Sequence, residues 1–354
     1  MAEQPLLLID GSQGEGGGQV LRTSLSLSAL TGRPFHLFNI RANRSKPGLR
    51  PQHLTAVHAA AALCQAQLRG DKLNSVSLEF HPQTPPQNRT YRFDVQDAAS
   101  HGSAGAVTLI FQTILWPLLF AAAPSQVTLR GGTHVPFSPP YHYLAEVARP
   151  AFARLGALFT LNLTAWGWNP GGGGEVTAVI TPTTHLRAAD FDHVPVQQVQ
   201  GVAAVSNLPA HIPNRMAHRA HNLLREKGLR TNIQEIRARG LTPGAGIFLW
   251  LPQAGFSSLG RKGLPADKVA ETAVAQLAAF MDNNVAVDHY LADQLLLPLA
   301  LAHGTATYTT DALTQHTLTN AQLLRQWLDV DIHIQGDLDH PATITVTGID
   351  FGGD

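Results

Sequence analysis

Residues 6–22 read Leu6-Leu-Leu-Ile-Asp10-Gly-Ser-Gln-Gly-Glu15-Gly-Gly-Gly-Gln-Val-Leu-Arg22. The apolar run ending in Asp-Gly reads as a short strand and a turn. From Gly18 the pattern becomes helical as far as Leu30, and Gly32 can close that helix. A strand, a glycine-rich turn and a helix open an α/β unit, and the residues that follow complete it. Residues 35–40 predict a second strand and residues 51–66 an Ala-rich helix. Residues 67–80 hold two strand candidates around Gly70-Asp71. The unit is βαβαββ.

The same order follows about 85 residues later, counted from Leu6 to Tyr91. Strands are predicted at 91–95, 126–130, 159–164 and 176–181, with helices at 104–122 and 140–155. A third copy, lacking its first strand, occupies the C-terminal part. It comprises helix 288–303, strand 306–310, helix 319–328, and strands 332–335 and 343–347. About a hundred residues between copies two and three do not fit the repeat. They read as strands 194–205, 232–237 and 246–251 with helices 214–227 and 267–281, an inserted α/β domain.

The chain has 354 residues, 44% hydrophobic and 14% charged. That suits two or three packed units and excludes a disordered chain. Its 25 basic and 25 acidic residues give zero formal charge, so a global basic field for non-specific nucleic-acid binding is absent. One cysteine, Cys64, excludes a disulfide framework and a Cys-based zinc site. The opening Met1-Ala-Glu-Gln-Pro5 lacks a basic leader region, and the apolar run 113–123 holds Pro117 and is too short for a bilayer. The expectation is a cytoplasmic chain that contacts no membrane.

Local charge is less balanced. Between Glu15 and Asp71 there is no acidic residue, yet Arg22, Arg33, Arg41, Arg44, Lys46, Arg50 and Arg69 all fall there. A shaped anion site is expected. The glycine loop can aim backbone N–H groups at an anion. It is not a Walker loop, since no Gly-Lys-Ser/Thr follows, and it lacks the G-x-G-x-x-G spacing. Glu15 within it is either a helix-start charge or a metal ligand beside a phosphate. Arg41, Arg44, Lys46 and Arg50, with Gln52 and His53 at a helix start, make a phosphate clamp. His316 falls on a predicted strand-to-helix connection, where a ligand can reach it. His218 and His221 read as surface residues. Tyr290 could stack on a base or pack in the core. Gln112, polar within an apolar helix, needs a partner if buried. The starts of three helices, at the glycine loop, at Ser103-Ala-Gly105 and at His289-Tyr290, are expected to converge on one site.

Together these pieces resemble the RNA 3′-terminal phosphate cyclase family. The matching segments are 10–19 (Asp-Gly-Ser-Gln-Gly-Glu-Gly-Gly-Gly-Gln) and 40–49 (Ile-Arg-Ala-Asn-Arg-Ser-Lys-Pro-Gly-Leu). They continue with 130–133 (Arg-Gly-Gly-Thr), 290–294 (Tyr-Leu-Ala-Asp-Gln) and 316–320 (His-Thr-Leu-Thr-Asn). The resemblance spans nearly the whole chain, weakest in the insert, and departs from the family pattern at Trp166. It implies an α/β fold, in the α+β sense. Three repeated βαβαββ units form the large domain (1–184 and 286–354), and a smaller α/β domain (185–285) is inserted in the third.

The resemblance also implies an ATP-dependent conversion of an RNA 3′-phosphate to a 2′,3′-cyclic phosphate, through a covalent histidyl-AMP and an RNA adenylate. His316 matches the nucleophile. Gln112, Pro136, Tyr290, Leu291, Ala292, Asp293 and Gln294 match ATP-contacting positions. Arg22, Arg41, Arg44, Gln52 and His53 match positions around the substrate phosphate. Glu15 matches a contact to a divalent metal, Mg²⁺ or Mn²⁺. A histidine largely neutral at pH 7 can attack without a strong base. The alternatives are a non-catalytic cyclase-like RNA-binding assembly factor, an enolpyruvyl transferase built from similar repeats, and an anion-binding α/β protein.

Overall fold

The structure, a computed structural model, describes residues 5–99 and 103–353. Residues 1–4, which carry most of the opening segment read above, lie outside that description.

The first unit runs β1 (Leu7–Asp10), α1 (Gly18–Thr31), β2 (Phe35–Phe38), α2 (Pro51–Cys64), β3 (Gln67–Arg69) and β4 (Leu78–His81). Its sheet has the order β1-β2-β4-β3, with β1 and β2 parallel and the other pairs antiparallel. The second unit runs β5 (Thr90–Asp94), α3 (Val107–Leu119), β6 (Ser125–Gly131), α4 (Tyr141–Tyr143), α5 (Arg149–Arg154), β7 (Leu158–Ala165) and β8 (Gly174–Thr181). Its sheet repeats the order, β5-β6-β8-β7, again with only its first pair parallel. The helix predicted over 140–155 is interrupted by a π turn at Leu144–Ala148. Pro150 follows, and without an N–H it cannot extend a continuous α ladder.

The insert comprises β9 (Gln198–Ser206), α6 (His211–Glu226), β10 (Arg230–Ala238), β11 (Gly244–Leu251), β12 (Ala254–Leu259) and α7 (Ala266–Met281). Its sheet order is β10-β9-β11-β12, and α6 packs on α7. The third unit follows: α8 (His289–Leu301), β13 (Thr305–Thr310), α9 (Gln315–Trp327), β14 (Asp331–Gln335) and β15 (Ala342–Thr347), with sheet order β13-β15-β14.

The first strand expected to be missing from the third unit is present in two pieces. Just before the insert, Phe191 bridges β13 in parallel at Tyr308, and Arg187 bridges His303, which precedes β13. Val287 bridges Thr310 in parallel, just after it. The insert therefore interrupts the strand that corresponds to β1 and β5.

Helices and sheets of all three units share one apolar cluster, including Phe35, Ile114, Leu295 and Ile344. The insert has its own, around Val205, Met216, Ile247 and Val274. A third cluster joins them, with Trp166 and Trp168 packed on Val202, Ala204 and Phe248. Trp166 stacks on buried His134 with ring centroids 4.3 Å apart. Its indole serves the joint with the insert.

Two further expectations are corrected. β12 was not predicted, and α9 starts at Gln315 rather than Thr319 because Thr314 caps it, its Oγ1 accepting from Thr317 N at 3.1 Å. Among the described residues no helix is long and apolar enough to cross a membrane.

Candidate active site

His316 stands in the first turn of α9, not on a connection. Its Nδ1 lies 3.1 Å from Asp293 Oδ2, and its Nε2 lies 3.8 Å from Glu15 Oε2. Asp293 thus holds one ring nitrogen and leaves the other turned toward the glycine loop. The Asp293 carboxylate, and secondarily Glu15, raises the His316 pKa above its ordinary value against the opposing effect of burial. More imidazolium is therefore present near neutrality than an unperturbed histidine would carry.

A chain of hydrogen bonds fixes Asp293. Asn320 Nδ2 donates to Asp293 Oδ1 at 3.2 Å, and Thr23 Oγ1 donates to Asn320 Oδ1 at 3.1 Å. Gln19 Nε2 donates to Thr23 Oγ1 at 3.0 Å, and Arg22 Nη2 to Gln19 Oε1 at 2.8 Å. The network links α1 of the first unit to α8 and α9 of the third. The glycine loop is tied to the same place, Glu15 N donating to Thr319 Oγ1 at 3.1 Å. Gly14 has φ +58°, and a Cβ there would lie 2.1 Å from Thr319 Oγ1, so only glycine allows that approach.

These groups line a cavity of about 790 Å³, within the range of small-molecule sites. One wall is Glu15, Arg22, Asp293 and His316, and another is Gln112, Tyr290 and Gln294. Gln112 Nε2 donates to Gln294 Oε1, which answers its need for a partner. Pro136 lies on the rim with Phe137 and Ser138, and Ser257, Ser258 and Leu259 of β12 face them from the insert.

Beside the cavity the basic segment folds around His53. Burial, then the charges of Arg41, Arg22, Arg50 and Arg44, push the His53 pKa well below its usual value, so the ring is neutral. His53 Nδ1 accepts from Arg50 N at 3.3 Å. Burial also lowers the Arg22 pKa to about 10. Arg44 pairs with Glu15. Guanidinium groups crowded around a neutral histidine repel one another, which an anion would relieve.

The candidate residues are not all placed alike. Leu291 and Ala292 are fully buried in α8, and their side chains do not line the cavity. The convergence of three helix starts is corrected. Those of α1, α8 and α9 meet here, whereas Ser103-Ala-Gly105 lies off the cavity, with Gly105 packed against Gln52. Gln52 Oε1 accepts from Ala106 N at 2.9 Å, and Arg41 Nη1 donates to the carbonyls of Lys46 and Gly48 at 2.8 and 2.9 Å. Both brace the segment from the side. His218 and His221 are exposed on α6, as expected. Sequence reasoning passed over Gln19, Thr23 and Thr319, whose spacing carries no signal until α1 and α9 are packed together. It also passed over the β12 serines, because the strand itself was not predicted.

Comparison with known proteins bears on this arrangement. The family model for RNA 3′-terminal phosphate cyclase matches residues 13–334. A protein of Gloeothece citriformis named RNA 3′-terminal phosphate cyclase is 49% identical over 340 residues, covering 94% of this chain and 97% of its own. One of Nostoc punctiforme with the same name is 50% identical, covering 91% and 94%. An archaeal counterpart, from Archaeoglobus fulgidus, is 38% identical over 332 residues, covering 94% and 98%.

Proposed function

The chain belongs to the RNA 3′-terminal phosphate cyclase family and is an enzyme, and from that premise we propose that it closes RNA 3′-phosphate ends through His316. The observation that carries the reading is the placement of His316, one nitrogen held by Asp293 and the other beside a cavity and a cluster of arginines.

His316 Nε2 attacks the α-phosphorus of ATP, forming an N–P bond as the bond to pyrophosphate breaks. Asp293 keeps the Nδ1 proton and stabilises the positive charge that grows on the ring. A phosphate oxygen at the RNA 3′ end then attacks the same phosphorus, and the N–P bond breaks to restore His316. The neighbouring 2′-oxygen attacks the RNA phosphorus, loses its proton and expels AMP, leaving the cyclic phosphate. That step is intramolecular, where good placement is worth effective molarities of order 10⁵–10⁸ M. It requires a ribose 2′-hydroxyl, which DNA lacks. Arg22 and Arg44 offset phosphate charge, Gln52 and His53 hold the basic segment, and Tyr290 with Pro136 presents a face for adenine.

Among the described residues no group of three or more His, Cys, Asp or Glu side chains is arranged to hold a metal ion. Glu15 beside the cavity fits as the single protein ligand of Mg²⁺ or Mn²⁺, ions that commonly take one or two carboxylates plus substrate phosphates. When bound there, such an ion neutralises charge on phosphate oxygens.

Incubation with α-³²P-ATP and a divalent ion, followed by a denaturing gel, tests the reading. Wild type should carry label and His316→Ala none. Label persisting on folded His316→Ala removes that residue from its role. Label on neither protein favours a non-catalytic RNA-binding factor.

A further inference from the structure

Phe137 is not explained by folding or by the steps above. It lies in the loop from β6 to α4, and its side chain is fully exposed at 103%. Its backbone φ is +61°, a region that bulky L-residues avoid. An exposed aromatic residue alone is ordinary. A strained backbone beneath it is not, and such strain persists where the surroundings over-determine it, commonly at ligand sites. The surroundings here do so. Thr108 Oγ1 donates to Pro139 O at 2.7 Å, Ser138 Oγ to Val135 O at 3.1 Å, and Tyr141 N to Thr133 O at 2.9 Å. Pro136, Pro139 and Pro140 stiffen the same loop. A rigid loop therefore holds an apolar ring in water, on the rim of the cavity that contains His316.

We propose that Phe137 is a stacking platform for the 3′-terminal nucleobase of the RNA. The inference rests on the reading of this cavity as the place where an RNA 3′-phosphate is received, and it adds where the attached base goes. The arginines beside the cavity suit the phosphate, and the Phe137 ring offers the base an apolar face. Every nucleobase has a π-face, so a ring on the rim accepts any RNA end without reading its sequence. A local aromatic contact supplies affinity at the end itself.

The test is binding of a 5′-fluorescein oligoribonucleotide with a 3′-phosphate, followed by anisotropy at fixed low salt without ATP. Phe137→Ala and Phe137→Gly should raise Kd roughly 5- to 150-fold, the range of one base–aromatic stack. Phe137→Trp should restore binding. With an abasic ribose at the 3′ end, wild type should lose the same factor and Phe137→Ala nothing further, so the two changes are not additive. Phe137→Gly relieves the positive φ and should melt no lower than wild type, which separates lost binding from misfolding.

Equal Kd values for wild type and Phe137→Ala, or additive losses with the abasic end, overturn the proposal. So does failure of wild type to bind the oligoribonucleotide. If Phe137→Ala lowers labelling by α-³²P-ATP without RNA as much as it lowers RNA binding, the ring belongs to adenine and the proposal falls. Phe137-dependent RNA binding by a wild type that takes no label would sustain this inference and remove the catalytic one.

Discussion

His316 lies between two carboxylates, and they act on it differently. Asp293 bonds Nδ1 and favours the imidazolium, yet the proposed attack needs a neutral Nε2. Nucleophilic activity should therefore fall as pH drops through the raised His316 pKa. In Asp293→Asn that support is lost, the pKa falls, and the acid limb of the labelling rate should move to lower pH. Its plateau should also drop roughly ten- to a hundredfold, because the ring is less well aimed. Single-turnover labelling between pH 5 and 9 reads both effects, and an unmoved acid limb would show that Asp293 is not the partner that matters. At this scale much was legible in the sequence. His316, Glu15 and Asp293 stand in short distinctive segments, Gln112 is a polar residue in an apolar helix, and all four reach the cavity. Leu291 and Ala292 share such a segment but fall on the inner face of α8, which a linear motif does not distinguish.

Helix ends decide where the reacting groups stand. Thr314 satisfies the first turn of α9, and Thr314→Ala should cost about 1 kcal/mol of stability by denaturant unfolding. Its labelling rate should fall as well, since His316 is two residues away. Gly14→Ala should leave the α1 core intact while driving the loop off Thr319. Labelling should fall about a hundredfold, the scale of an ångström-sized misplacement, with little change in melting temperature. A variant that labels like wild type would show that the loop's seat on α9 is dispensable. The repeats were legible because turns and apolar runs recur in a fixed order. β12 was not. Its Ala254-Gly-Phe-Ser-Ser-Leu259 has few β-branched or alternating residues and becomes a strand by pairing with β11, a non-local preference that composition does not carry.

Across the molecule, Asp288 joins three parts. It caps α8 through Leu291 N, accepts from Tyr143 OH of the second unit, and accepts from Gly255 N of the insert, each at 2.7 Å. Burial raises its pKa from 3.8 to about 6 despite those bonds. The folded chain therefore takes up this proton before the unfolded chain does. The cost of keeping Asp288 ionised is present above pH 6 and is relieved as pH falls from 6 to 4. Tyr143→Phe removes a donor from a buried carboxylate and should cost roughly 1.5–3 kcal/mol at pH 7, and less at pH 4.5, by denaturant titration. An equal loss at both pH values would show that the carboxyl stays ionised throughout. No sequence pattern announces this joint, because its members lie in three units and meet only after packing. The split first strand of the third unit has a wider consequence. Its two halves bridge β13 at Tyr308 and Thr310, positions ~7 Å apart along a strand. Buried Gln253 donates to Asp192 O and Ala286 O, clamping entry and exit together. A guest module whose ends are held this close closes its host's loop at little entropic expense. The host could therefore acquire, lose or exchange that guest by splicing within one strand, keeping its repeat architecture while replacing the wall that faces the chemistry.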